Sequence, residues 1–514
     1  MTNQRKPLQP RLVSKPFFTR LTATLLLLPA ISVASDVPLQ GLALISAALA
    51  EEVEQAVPEP GDEVRLVHVK DVVMGDSHYW NTVVHSGYNK LMTHGDYQYA
   101  VYWNSEFRLT LGRRHLQTDE VVTTVFPYTG YPHDVHNVPV LGFSPQDGRL
   151  HLAWHMRGAP GLPASNYVVS NPKLISDPPD TMTTDDFRPR VEFVEGAFVT
   201  YPRFFNDPDG RLFQIFRNGG AASADYELHR YDAENHSWVR VGMVLSREGQ
   251  WPQGVRTRGA YLYDPIFDAT GRLHLAWNWA SLPARNAVSP TSLLDRHHHN
   301  YAYSDDGGIT WHNNAGEPIA DLGRNRPIRI DTPGITVIET FDILEGSMTL
   351  DANRQPHLSL VGVKGSPRDW HVVHVWRTPD GEWHRDFAVD PKAERPTDDA
   401  SYSSHFLAYN GDIAIDRDQN LFVTFPRPTS EVFVVQSHLS TPTKRVEYPI
   451  TGPLFDDLRP VSRERFAFFR WEGKVDRPRW ERDQIFSLPA VVRKDGAFHF
   501  VIKDYVLQKP EPAP

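Results

Sequence analysis

Apolar and polar positions alternate in short runs along most of this chain, and three of the runs are near copies. "GRLHLAW" fills 148–154 and returns unchanged at 271–277, with "GRLFQIF" between them at 210–216. Their glycines, Gly148, Gly210 and Gly271, are 62 and 61 residues apart. Each copy follows an acidic, turn-forming stretch: "SPQDG", "NDPDG" or "FDATG". Glycine there accepts positive φ, and Asp bonds its own backbone. The alternating β-branched and aromatic residues that follow have the period of a strand. Each copy therefore predicts a hairpin corner entering a strand. Weaker echoes begin at Leu350 ("LDANRQPHLSLVG"), Ile415 ("IDRDQNLFVTFP") and Arg493 ("RKDGAFHFVI"). A unit of about 60 residues made of short strands predicts an all-β fold, a seven-bladed β-propeller starting near residue 56.

Composition agrees with many short strands joined by turns. The 514 residues include 42 Pro and 33 Gly, and no long helical pattern follows residue 56. A length of this order would ordinarily suggest several domains. Repetition around one axis makes a single propeller, residues 51–514, the better expectation. Residues 1–50 stand apart. Arg5, Lys6, Arg11, Lys15 and Arg20 precede the apolar runs "LTATLLLLPAISVAS" and "LQGLALISAALA". This is the pattern of a signal peptide, cleaved near Ser35 or Ala50, which implies a secreted or periplasmic protein with no stable membrane insertion afterwards; the rival is an uncleaved membrane anchor, disfavoured by Pro29 and the split into two short runs. There is no cysteine, so thiolate nucleophiles and cysteine metal sites are excluded, and stability must come from the core.

Charge narrows the partners. The leader holds 5 of the 53 basic residues and 1 of the 63 acidic ones, leaving 48 against 62, or −14, for residues 51–514. That opposes nucleic acid as a partner. An anionic polysaccharide remains open, because a local basic groove can oppose the global sign.

"SDDGGITW", Ser304–Trp311, fits the Asp-box pattern S-x-D-x-G-x-T-W. It reads as a structural hairpin turn, its Asp bonding loop amides and its Trp packing between blades. Chemistry is expected elsewhere. In "YPHDVHNVPVLGF", His136 precedes an apolar strand and should lie at a strand entrance, where an axial site is built. His151 occupies the same repeat position as His274 and reads as a buried strand residue. In "VTYPRFFNDPDGRLFQIFRNGG", sixteen residues around a hairpin bring Tyr201 at the start of one strand beside Arg217 at the end of the next. Arg217 suits bidentate neutralisation of a carboxylate, and Tyr201 suits proton transfer. A Tyr–Arg packing pair without chemistry is the plainer alternative.

These stretches resemble the BNR-type seven-bladed propeller polysaccharide lyases, the group that includes ulvan lyases. The resemblance rests on "DVHNVPVLGF…DGRLHLAW", "SNYVVS", "VTYPRFF…LFQIFRNGG", "LHRYDAENHSWVRV", "GRLHLAWNW" and "HHHNYAYSDDGGITW", covering roughly residues 95–365. It implies β-elimination on a uronic-acid polysaccharide, of ulvan or rhamnose–glucuronate type. Such a reaction needs a carboxylate neutraliser, a base for C5 and an acid for the O4 leaving group. By resemblance His136, Tyr201 and Arg217 take these roles, with Asn137, Arg157 and Arg203 as substrate contacts. The family carries an Asp-His-His run after the "LHLSW"-like strand, whereas this chain has His155, Met156 and Arg157. Either His155 or Arg157 substitutes, or the machinery differs, or activity is lost.

No cofactor is required for this chemistry, although some relatives hold a structural ion. "RHHHN", Arg296–Asn300, reads as a solvated loop or strand start, with His297 and His274 as the alternative metal ligands. A monomer is expected. Two other functions compete: a glycan-binding propeller without catalysis, and a sialidase-like glycoside hydrolase, for which "RPIRI" at 326–330 would supply arginines.

Overall fold

A computed structural model describes residues 64–78, 89–131, 137–154, 156, 165–220, 223–249, 257–281, 296–341, 343, 346–363, 370–388, 412–426, 431–454 and 474–508. The leader at 1–50 lies outside them. Among the described residues the strands form seven antiparallel sheets in an all-β propeller. Sheet I holds Leu91–His94, Tyr97–Trp103, Arg108–His115 and Val121–Thr129, in spatial order. Sheet II holds Val140–Ser144, Arg149–Trp154 and Asn166–Val169. Sheet III holds Val199–Asn206, Leu212–Gly220, Ser223–Asp232 and Ser237–Leu245. Sheet IV runs from Thr257–Leu262 through Leu273–Ser281, Arg296–Ser304, Thr310–His312 and Pro318–Asp321, with Thr336–Phe341 paired to its third strand. Sheets V and VI begin with Ser347–Leu350 and Ile413–Ile415 and have four strands each.

Burial falls outward across sheets I and III. Inner strands such as Val140–Ser144 are buried at every position, because neighbouring sheets cover both faces. Outer strands such as Val121–Thr129 bury only alternate residues. Continuous apolar runs therefore mark inner strands, and alternation marks outer ones.

Every repeat seen in the sequence is the second strand of its sheet: Arg149–Trp154, Leu212–Gly220 and Leu273–Ser281, then Pro356–Val363, Asn420–Pro426 and Ala497–Gln508. The turn before several of them is built alike. Asp207 Oδ1 accepts from the backbone N–H of Asp209 and Arg211, and Asp268 Oδ1 from those of Thr270 and Arg272. Asp351 and Asp416 accept from the residue four ahead, Gln355 and Asn420. The repeated His behaves alike too: Nδ1 of His151 meets the Tyr167 hydroxyl at 2.6 Å, and Nδ1 of His274 meets that of Tyr301 at 2.7 Å. Burial lowers the His151 pKa to about 3, so it is a neutral core group. The even 61-residue spacing does not persist. Inner strands of sheets II, III and IV start at 140, 199 and 257, but that of sheet V starts only at 347, because sheet IV carries extra strands.

Ser304–Trp311 forms a closed turn. Asp306 accepts from the N–H groups of Ile309 and Thr310 and from the Thr310 hydroxyl, while the buried Trp311 donates its indole N–H to the Gly308 carbonyl. Arg296–Asn300 is a strand start, as one of the two expectations had it, but it is not solvated. It is the buried first half of Arg296–Ser304, where both faces are packed.

Sheet VII closes the ring. Its inner strand is Ile485–Lys494, its middle strand Ala497–Gln508, and its outer strand Arg65–Asp76 comes from the other end of the chain. Just before it, four consecutive residues bridge several sheets. Lys474 pairs with Asp264 at the end of sheet IV's inner strand, and Arg477 with Asp412 before sheet VI. The Val475 N–H also donates to Asp412, and Asp476 accepts from Thr93 and Gln98 of sheet I. Asp476 then caps a short helix, Arg477–Asp483.

Candidate functional site

Sheets III and IV bring together Tyr201, Arg217 and Tyr261. In sheet III, Arg203 pairs with Ile215 and Thr200 with Arg217, so Tyr201 and Pro202 face Phe216 alone. This is a β-bulge, which re-aims a side chain. Tyr201 takes a φ of +55° there, directly before a proline. A bulky residue in the left-handed region costs about 1–2 kcal/mol, and a following proline favours extended backbone instead. The fold holds a strained tyrosine at the position that the sequence marks as chemical.

The bulge places the Tyr201 ring 4.3 Å from Cζ of Arg217. Hairpin pairing thus joins the two residues as expected, although Arg217 lies three residues before the strand ends at Gly220. Arg217 Nε donates to the Thr200 hydroxyl at 2.9 Å. Its side chain is 1% exposed, and among the described residues Nη2 has no hydrogen-bond partner. Burial disfavours the charge, but the phenols of Tyr201 and Tyr261 outweigh it and hold its pKa above the ordinary arginine range. The site therefore contains a buried cation with one donor, Nη2, that no described residue takes.

Two further residues belong to this cluster. Tyr261, on sheet IV's inner strand, has its ring centre 5.0 Å from Arg217 Cζ and 6.2 Å from the Tyr201 ring centre. Cζ of Arg296 stands 3.6 Å from the same Tyr261 ring. Sequence reasoning missed Tyr261, because contact between sheets leaves no local pattern. Arg296 was in view only as the start of the histidine run.

The other expected residues are placed as follows. Arg203 is buried and donates Nη1 to the Tyr263 carbonyl, tying sheet III to sheet IV. Asn137 is buried, and its carbonyl accepts from the Trp103 indole at 2.8 Å. Met156, at the position of the family's second histidine, is packed in the apolar cluster with Trp103, Phe107 and Trp154. His136, His155 and Arg157 lie outside the described residues. Among the described residues no group of three or more His, Asp or Glu is placed to hold a metal ion. His274 and His297 sit near opposite ends of one strand pair, opposite Tyr303 and Trp279.

Residues 97–390 match the model of a BNR repeat-containing family, more than half of the chain. The chain belongs to that family. Similar proteins include an ulvan lyase, long isoform, from Alteromonas sp. (strain LOR), 26% identical over a 300-residue alignment that covers 49% of this chain and 29% of the relative. The short isoform from the same strain is 25% identical over 296 residues, 48% of this chain and 55% of its own length. The chain thus spans between 28% and 55% of the length of the curated relatives it matches. Among solved structures, the polysaccharide lyase Uly1 superposes with a TM-score of 0.56 at 16% identity, covering 86% of this chain and 99% of that one. A family 25 ulvan lyase bound to -[GlcA(1-4)Rha3S]- gives 0.55 at 15% identity, over 75% and 86%. These structures share the propeller fold with this BNR-family chain.

Proposed function

We propose that this chain is a polysaccharide lyase that cleaves a uronate-containing polysaccharide by β-elimination, on a propeller in which each of the seven sheets is one blade. The observation that carries the reading is Arg217: a buried guanidinium with an unspent Nη2 beside a strained tyrosine. Similarity to ulvan lyases, one of them solved with bound -[GlcA(1-4)Rha3S]-, supports a glucuronate–rhamnose polymer as the substrate class. In this reading Arg217 neutralises the uronate carboxylate, which makes the C5 proton removable. Tyr201 and His136 share the proton transfers. The C5–H and C4–O4 bonds break, a C4–C5 double bond forms, and O4 leaves protonated. With the carboxylate already neutralised, proton transfer is the step left to these residues, worth roughly 10²–10⁴-fold. The basic and apolar pattern of the leader at 1–50 supports export, and a monomer is part of the same proposal.

The deciding experiment screens uronate polysaccharides for the ultraviolet absorbance of the unsaturated product. Tyr201→Phe should abolish its appearance while leaving the fold intact, since only a hydroxyl is lost. His136→Ala should be equally severe. His155→Ala then separates two forms of the site: matching severity assigns the missing histidine's work to His155, and an inert variant leaves His136, Tyr201 and Arg217 alone. Wild-type turnover by Tyr201→Phe on a confirmed substrate would refute the mechanism. The buried, apolar setting of Met156 favours a second reading, a glycan-binding propeller without catalysis. That reading predicts affinity for the polymer with no unsaturated product.

A further inference from the structure

The guanidinium of Arg217 lies in a corner formed by two phenol rings, one from each of two sheets. Tyr201 is held by its bulge, and Thr200 fixes Nε at 2.9 Å. Neither of these contacts orients the guanidinium from the side of sheet IV. The ring of Tyr261 does, at 5.0 Å from Cζ, and it sits on the inner strand Thr257–Leu262. With Nε spent on Thr200, Nη2 is the donor that no described residue takes.

We propose that Tyr261 is a positioning residue whose ring face holds Arg217 in register for a substrate carboxylate. This rests on the reading of Arg217 as the carboxylate ligand. Cation–π attraction is strongest in desolvated settings such as this one, where both groups are buried. A guanidinium free to swing loses the fixed geometry that bidentate recognition needs. Arg296, on the same ring at 3.6 Å, extends the stack and fixes Tyr261 in turn.

The test uses the full chain with Tyr261→Leu and Tyr261→Phe. Two quantities are measured: kcat and KM on a cleaved uronate polymer, and affinity for a glucuronate–rhamnose oligosaccharide against its carboxyl-reduced form. Removing a desolvated ring face should cost about thirtyfold in kcat/KM. In Tyr261→Leu the preference for the carboxylate form should shrink by a similar factor, while affinity for the reduced form stays level. A purely structural defect would weaken both forms together. Tyr261→Phe keeps the ring and should restore most of the preference. If Phe is as damaging as Leu, or if Leu leaves the preference intact, the proposal falls. Equal binding of the two oligosaccharides by the wild type also overturns it. A wild type that prefers the carboxylate form but yields no unsaturated product defeats the lyase reading and leaves the positioning role standing. Normal cleavage with an unaffected Tyr261→Leu does the reverse.

Discussion

Asp504→Asn should destabilise the seam where the first and last sheets meet. The Asp504 carboxylate is buried and accepts three hydrogen bonds: from Arg114 Nη2 at 2.7 Å, Arg479 Nη1 at 2.9 Å and the Ser487 hydroxyl at 2.6 Å. Arg114 belongs to sheet I, Asp504 to sheet VII and Arg479 to the short helix. Asparagine preserves the shape but offers one acceptor oxygen. If that oxygen serves Arg479 and Ser487, the new amide N–H₂ confronts Arg114 donor to donor. Breaking a buried ion pair from one side costs about 3–5 kcal/mol. Arg114 keeps Asp119 through Nε at 2.8 Å, which favours the lower end, about 3 kcal/mol. Unfolding a propeller of this size carries an entropy of roughly 0.9 kcal/mol per kelvin, so the expected fall in Tm is only about 3 °C. Urea unfolding followed by tryptophan fluorescence is therefore the better assay. Arg114→Met in the same background completes a double-mutant cycle. The double variant should lose clearly less than the sum of the singles, because removing both charges leaves neither orphaned. A loss under about 0.5 kcal/mol for Asp504→Asn, or strictly additive singles, would refute this account of the seam.

Three other outcomes follow from the geometry. Burial lowers the pKa of His151 and His299 to about 3 and of His78 and His297 to about 4, below the 6.5 of an unfolded histidine. The unfolded chain then binds more protons, so stability is full above pH 6.5 and declines from there toward pH 4, at about 1.4 kcal/mol per pH unit for each group; a flat urea midpoint between pH 7 and 5 would contradict this. Gly142→Ala should cost about 1–3 kcal/mol by overpacking, since its Cβ would stand 2.5 Å from Cβ of Phe204 on the next sheet; chemical denaturation reads it directly. Arg217→Lys keeps the charge but loses the planar fork, so turnover on any cleaved uronate should drop strongly, and unchanged kinetics would remove Arg217 from the carboxylate role.

Much of the fold was legible because four of the six repeats carry their own turn chemistry. Asp207, Asp268, Asp351 and Asp416 each fold back onto the backbone within four residues, so the signal is local and survives degradation of the copy. What stayed hidden depends on distant partners. Nothing near Arg65–Asp76 shows that it pairs with Ala497–Gln508, and nothing near Lys474 names Asp264 as its counter-ion. The histidines of "RHHHN" read as polar, yet packing on both faces buries them. At the site, the Tyr201–Arg217 pair was legible because a hairpin fixes its own register. The bulge that strains Tyr201 was not, and neither was Tyr261, which arrives from another sheet.

The closing sheet also imposes an order in time. Its outer strand, Arg65–Asp76, waits for Ala497–Gln508, more than four hundred residues later in synthesis. At roughly 5–20 residues per second the ribosome needs on the order of 20–80 s to deliver the partner. During that interval the arc of sheets is open and the early strand is an unpaired edge carrying Val67, Val69 and Val73, which remain exposed even in the finished ring. Lys70 and Asp71 interrupt that edge, and register shifts fall at His68–Lys70 and Val73–Gly75. Charges and bulges of this kind deter pairing with the wrong strand. They guard the nascent chain for as long as its correct partner does not yet exist.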